Sequence, residues 1–150
     1  MSRRPEPNGV RIQEGAVIAK RGSYYYMFVN WDFCCGVWTD PYPPYAAGSR
    51  PAYRLIVGRS TSLHGPFYGK NGKPMLKGGG TLYLQGNKLA GLLGPGGPAI
   101  LEENGQYLLV MHAYNPLYAT GKIKGVPLST PQVRKIAWTA DDWPVDDGKY

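Results

Sequence analysis

Glu14 stands in the stretch Gln13-Glu14-Gly15-Ala16-Val17-Ile18, between a polar residue and a glycine and directly before an apolar run. A carboxyl group placed partly out of water can hold a proton near neutral pH and deliver it as a general acid. Read from its position alone, a Glu at the edge of a strand is more often a solvated charge than a catalytic acid. Asp32, in Asn30-Trp31-Asp32-Phe33-Cys34-Cys35, is the nearest partner for it in the sequence. Two carboxyl groups facing each other across a cleft suit glycoside hydrolysis, one as acid and one as base. Capping the turn that follows the strand is the competing role for Asp32.

The other reactive residue types offer less. His64 lies in the turn Ser62-Leu63-His64-Gly65-Pro66, and His112 closes the apolar run Leu108-Leu109-Val110-Met111. Neither has a second ligand at a recognised metal spacing. Cys34 and Cys35 are adjacent, so their Cα atoms stand about 3.8 Å apart, below the usual disulfide range of about 4.4 to 6.8 Å. They read as two reduced, buried thiols, with a strained vicinal bridge in an oxidising compartment as the alternative. Gly78-Gly79-Gly80 lacks the Lys-Ser/Thr signature and following helix of a phosphate loop, and reads as a connector. The rings of Trp31, Phe33, Trp38, Tyr42 and Tyr45 crowd one stretch, where they either stack on sugar faces or pack on one another.

The elements that must position these groups are strands. With 21 Gly and 14 Pro among 150 residues, the chain is punctuated too often for long helices, while 12 Tyr and 4 Trp favour a pleated surface. The length suits one domain, 1–150, with a core of its own. No apolar run reaches the roughly 18 residues of a membrane span, and Met1 to Gly9 lacks the apolar stretch of a signal peptide. The net charge of +7 comes from Lys and Arg scattered along the chain. This reads as a solvated basic surface and not as a nucleic-acid stripe.

The strand plan is used twice. Ala16 to Asn30 reads as a hairpin around Lys20-Arg21-Gly22, and Ala99 to Asn115 reads as another. Ala16 and Ala99, Gly22 and Gly105, and Tyr24 and Tyr107 are each 83 positions apart, which sets Gly97 against Glu14. A second strand pair follows each hairpin, at Ala52 to Phe67 and at Gln132 to Val145. Long loops are expected at Phe33 to Ala52 and Lys70 to Gly97. Four short antiparallel strands per repeat is the plan of a propeller blade, giving blades at about 11–69 and 94–145. Two blades cannot close a ring of at least four, so open edges that invite self-association are expected. A small β-sandwich built from a duplicated sheet satisfies the same strand pattern.

The stretches QEGAVIAKRGSYYYMFVNWDFCC, YRLIVGRSTSLHGPF, NGKPMLKGGGTLYLQGN, GPGGPAIL and AWTADDWPV, in this order, resemble the C-terminal part of glycoside hydrolase family 43, specifically its endo-1,5-α-L-arabinanases. The resemblance runs from about Arg11 to Val145. It implies a five-bladed β-propeller, here incomplete, from an extracellular family that cleaves α-1,5-linked arabinan with inversion. It also implies that Glu14 is the general acid and that Trp31, Asp32, Phe33 and Cys34 belong to the substrate-binding wall. The family's general base and the Asp that tunes its acid fall in earlier blades, so hydrolysis by this chain alone is not expected. A non-catalytic arabinan-binding or structural module is the alternative. The family's calcium-associated His in a GPGHN motif corresponds to Gly97 of Gly94-Pro95-Gly96-Gly97-Pro98, so no metal ligand is expected there.

Overall fold

A computed structural model describes residues 13–32, 53–87, 92–114, 122–123, 126–127 and 129–149. It contains two four-stranded antiparallel sheets stacked face to face. The first sheet has the order β1 (Gln13–Arg21), β2 (Tyr24–Trp31), β3 (Arg54–Ser60) and β4 (Thr81–Gln85). The second runs from β5 (Leu93–Glu103) through β6 (Gln106–Tyr114) and β9 (Ser129–Trp138) to β10 (Pro144–Lys149). A two-stranded ribbon, β7 (Lys122–Ile123) and β8 (Val126–Pro127), lies between β6 and β9 in sequence. Each four-stranded sheet is a meander of sequence neighbours, the arrangement expected of a blade.

Local chemistry explains the strands. β2 reads Tyr-Tyr-Tyr-Met-Phe-Val-Asn-Trp, a run of aromatic and β-branched types that fit a pleated surface. The turn into β6 places Asn104 at φ 50° and Gly105 at φ 77°, the left-handed pair that a tight hairpin turn needs. The fourth strand of the first sheet is Thr81–Gln85, inside the loop expected at Lys70 to Gly97, and not part of the pair expected within Ala52 to Phe67. Its Thr-Leu-Tyr-Leu alternation was present, but the three glycines before it drew it into a supposed loop. Those glycines are packed: a Cβ on Gly79 would sit 2.0 Å from the Lys73 carbonyl oxygen. The first blade therefore extends to Gln85 and not to residue 69. The expected loop at Phe33 to Ala52 lies outside the described residues.

The hairpin registers correct the repeat as well. Val17 pairs with Phe28, Ile18 with Met27 and Arg21 with Tyr24 in the first sheet, while Ala99 pairs with Val110, Ile100 with Leu109 and Glu103 with Gln106 in the second. Every matched pair is 82 positions apart, and both hairpins carry a bulge at the same place, between Glu14 and Val17 and between Gly96 and Ala99. The offset of 83 matched residue types but slipped the register by one, which turns every side chain to the opposite face. The structural counterpart of Glu14 is Gly96, and that of Asn30 is His112.

The core lies between the sheets. Tyr26, Phe28, Leu55, Val57 and Leu84 of the first pack against Tyr107, Leu109, Met111, Ile136 and Trp143 of the second. The Tyr26 hydroxyl donates to the Asp142 carbonyl at 2.6 Å, and Tyr107 donates to the Lys20 carbonyl at 2.8 Å. The Arg59 guanidinium lies between the Tyr24 and Trp143 rings, 4.3 and 4.6 Å from their centroids, and donates to the Asp141 carbonyl at 2.6 Å. A smaller cluster of Val29, Trp31, Ile56, Phe67 and Met75 sits on the far face of the first sheet.

Candidate functional site

β1 and β5, the first strands of the two sheets, are in contact, and each carries a bulge near its N-terminal end. Glu14 is in this region, the second residue of β1 and opposite Asn30 of β2, whereas the hydrophobic pattern started the strand at Ala16. Gly15 follows it at φ 60°; a Cβ there would lie 2.9 Å from Asn30 Nδ2 and 3.6 Å from Pro98 Cδ of the other sheet. A side chain at residue 15 would crowd the Asn30 amide and strain the left-handed backbone, so glycine suits the position beside Glu14.

Tyr53, immediately before β3, reaches into the same space. Asn30 Nδ2 donates to the Tyr53 hydroxyl at 2.6 Å, and that hydroxyl donates to Glu14 Oε1 at 2.7 Å. The order of donors follows from chemistry: a phenol has one proton, a carboxylate only accepts, and so the amide must donate to the phenol oxygen. Asn30 is 1% exposed and Tyr53 5% exposed, so both groups are held by packing as well as by hydrogen bonds. Burial, and then the neighbouring Glu14, push the Tyr53 hydroxyl above its ordinary value of 10.0 and keep it a neutral donor. The Tyr53 ring occupies the place a side chain at residue 96 would take: a Cβ on Gly96 would fall 1.9 Å from Tyr53 Cε1. On its other side the ring stacks loosely on His112, with centroids 6.4 Å apart. Burial lowers the His112 pKa below its ordinary 6.5, so the imidazole is neutral at neutral pH. The assembly is a carboxylate held at the seam of two blades by a hydrogen bond from a phenol that a buried amide in turn fixes.

The remaining sequence candidates fall elsewhere or outside the described residues. Asp32, at φ 84°, forms an ion pair with Arg54 at 2.9 Å, and the Arg54 guanidinium lies 3.7 Å from the centroid of the Trp31 ring. All three are buried, so Trp31 and Asp32 form a structural knot with Arg54 at the end of β2. Phe33 and Cys34, and with them Cys35, lie outside the described residues. His64 is exposed in its turn. At Gly97 the backbone is left-handed, φ 63°, and a Cβ would lie 2.8 Å from His112 Nδ1. That position offers no side-chain ligand and no room for one without moving His112. Among the described residues no group of three His, Cys, Asp or Glu is arranged to hold a metal ion. No chemical step is assigned to a cation.

Sequence reasoning missed Asn30, Tyr53 and Gly96. Asn30 carried a signal, being the one polar residue in the run from Tyr24 to Trp31. Tyr53 and Gly96 carried none, because their meaning depends on one ring crossing from the first sheet into the second.

The model of "Glycosyl hydrolases family 43" matches residues 2–144. An extracellular exo-α-(1→5)-L-arabinofuranosidase of Cellvibrio japonicus is 31% identical over 136 residues, covering 91% of this chain and 33% of the relative. The extracellular endo-α-(1→5)-L-arabinanase 1 of Bacillus subtilis is 37% identical over 109 residues, covering 73% and 29%. Among solved structures, the Cellvibrio cellulosa α-L-arabinanase complexed with arabinohexaose superposes with a TM-score of 0.72 at 31% identity, over 90% of this chain and 36% of the other. The endo-arabinanase of Bacillus licheniformis gives 0.69 at 34% identity, over 97% and 41%. These likenesses assign the two sheets as two blades of a five-bladed β-propeller. The chain spans about a third of the length of the curated relatives it matches.

Proposed function

Since the chain belongs to glycosyl hydrolase family 43, we propose that it is the acid-bearing portion of a glycosidase acting on α-1,5-linked L-arabinan, with Glu14 as the general acid. The observation that carries this reading is the hydrogen bond from Tyr53 to Glu14 at the seam of the blades. An acid that protonates a leaving oxygen must point at one place, and Tyr53 backed by Asn30 gives it one direction.

Inverting hydrolysis also needs a base that activates water on the opposite face of the sugar, with the carboxyl groups roughly 6.5 to 9.5 Å apart. The resemblance puts that base in earlier blades. Asp32 is committed to Arg54 and is a poor substitute. The chain by itself therefore binds arabino-oligosaccharides without turning them over, and full activity belongs to a longer assembly. Because two curated relatives are named extracellular, arabinan outside the cell is the matching substrate pool. Among the described residues no helix is long and apolar enough to cross a membrane.

The test pairs two measurements on the purified chain. Calorimetric titration with linear arabino-oligosaccharides should show binding that changes on Glu14→Gln, and a reducing-sugar assay on debranched arabinan should show no turnover. Turnover that vanishes in Glu14→Gln would defeat the missing-base argument, and absence of any binding would defeat the substrate assignment.

A further inference from the structure

Ser60 ends β3, and the chain that follows folds back on that end instead of leaving it. The Gly65 N–H donates to the Ser62 carbonyl at 3.0 Å, Tyr68 exchanges two 2.9 Å backbone hydrogen bonds with Arg59, and the Gly69 N–H donates to the Lys73 carbonyl at 3.0 Å. These turns build one wall of a pocket of about 430 Å³, and Tyr24, Arg59 and Trp143 build the other. Trp143 stands at the entry to β10, so the pocket is complete within the two blades of this chain. It lies at the other end of the strands from Glu14. Glu14 pairs with Asn30 whereas Tyr24 begins β2, and the strand between them is about 20 Å long.

The chemistry of the pocket selects among ligands. Its positive charges are already matched: Lys70 pairs with Asp141 at 2.9 Å, Arg21 pairs with Asp142, and Arg59 donates to the Asp141 and Asp142 carbonyls at 2.6 and 3.3 Å. An anion arriving there would have to displace a partner. The hydroxyls are in the opposite condition. Ser60 Oγ accepts the Ser62 N–H at 3.0 Å and Ser62 Oγ accepts the His64 N–H at 3.2 Å, so each keeps its own proton to donate. Beside them the Tyr68 ring is 39% exposed. Ring surface beside a few unused hydroxyl donors, in a pocket of this size, suits a neutral polyol: its C–H face lies on the ring and its oxygens take the protons.

We propose that this pocket is a second sugar-binding site, which takes a short stretch of neutral arabinan at the end of the blades away from Glu14. The site stands on its own geometry, and the choice of arabinan rests on the function proposed above. Ser60 and Ser62 donate to sugar oxygens, and Tyr68 stacks on the ring. A polymer held here as well as at the seam leaves the chain less readily than one held at the seam alone, because the second contact forms at high effective concentration.

Nitrogen–proton NMR correlation spectra of the purified chain, titrated with linear arabinohexaose, test this. Two sets of amides should move: Gly15 and Gly97 at the seam, and Ser62, Gly65, Gly69 and Gly72 at the pocket. Tyr68→Ala should weaken the binding read from the pocket amides about tenfold and leave the response of the seam unchanged. Ser62→Ala, which removes one donor and no ring, should act in the same direction, and Glu14→Gln should change the seam alone. A seam response with the pocket amides still would overturn the second site and leave the assignment of Glu14 standing. A pocket response with the seam still would support the second site and count against Glu14. Inorganic phosphate that moves the pocket amides where arabinohexaose does not would overturn the neutral-sugar chemistry. Undiminished pocket binding in both Tyr68→Ala and Ser62→Ala would overturn the roles given to these residues.

Discussion

Replacing Gly96 with alanine puts a methyl carbon 1.9 Å from Tyr53 Cε1, 2.4 Å from Cδ1 and 3.0 Å from Cζ. The clash is with the body of a buried ring and not with the tip of a flexible side chain, so the ring must leave its slot. Gly96 is not among the residues with positive φ, so the backbone itself tolerates alanine and the effect is one of space. Displacing the ring breaks the hydrogen bond to the Glu14 carboxylate, of a kind worth about 1.5 to 3 kcal/mol, and the one from Asn30, worth about 1 kcal/mol. Overpacking adds about 1 to 3 kcal/mol. Partial relaxation takes some of this back, and a loss of about 3 to 5 kcal/mol is expected from urea unfolding at unchanged m-value. A double-mutant cycle with Tyr53→Phe isolates the cause. With Gly96 intact, Tyr53→Phe removes only the hydroxyl and costs about 1 to 3 kcal/mol; in the Gly96→Ala background it should cost close to nothing, because the hydroxyl has already lost its partners. A Gly96→Ala loss below about 1 kcal/mol, or strict additivity of the two changes, would refute the seating of Tyr53 described above.

Two further outcomes follow from the same geometry. Asp32→Ala takes the carboxylate from a buried ion pair with Arg54, and thermal or urea unfolding should register about 3 to 5 kcal/mol of destabilisation; a change within the error of the fit would show the knot to be dispensable. For His112, the folded pKa lies below the ordinary 6.5, so on acidification the unfolded chain takes up a proton before the native one does. Stability should therefore be level above pH 6.5 and fall as the pH drops from there through the lower folded value, and His112→Asn should flatten that slope in a series of urea titrations.

The strand character of the chain was legible because it is written locally. Aromatic and β-branched runs and Asn-Gly or Gly-Ser turns announce hairpins without reference to anything distant. The blade count was legible for the same reason. The register of the repeat was not: Gly22 and Gly105 look equivalent, yet Gly22 follows directly on the last residue of β1 whereas Gly105 is the second residue of its turn. One residue of slip separates the two readings, and only paired backbones decide it. β4 was overlooked because three packed glycines look the same in sequence as three loose ones. At the site, Glu14 was found through resemblance, whereas Tyr53 and Gly96 make sense only as a ring and the hole it fills, one in each sheet. Asp32 was readable as a carboxylate near a strand end, but its commitment to Arg54 depends on β3 lying beside β2.

The meander order of each sheet bears on how the chain folds as it is made. Every strand of the first blade has left the ribosome once Gln85 has emerged, and its hydrogen bonds all join sequence neighbours. Its packing face, however, is completed by Ile136, Trp138 and Trp143, which are synthesised later. A lone four-stranded sheet whose apolar packing face is still in water recovers little of the entropy cost of ordering it. The first blade must then wait, collapsed but not locked, for the second, and the Arg59 clamp on Trp143 is among the last contacts to close. Slow translation between Gln85 and Trp143 lengthens the time this nascent face is open to chaperones or to another chain, which makes that stretch of the message a control point for yield.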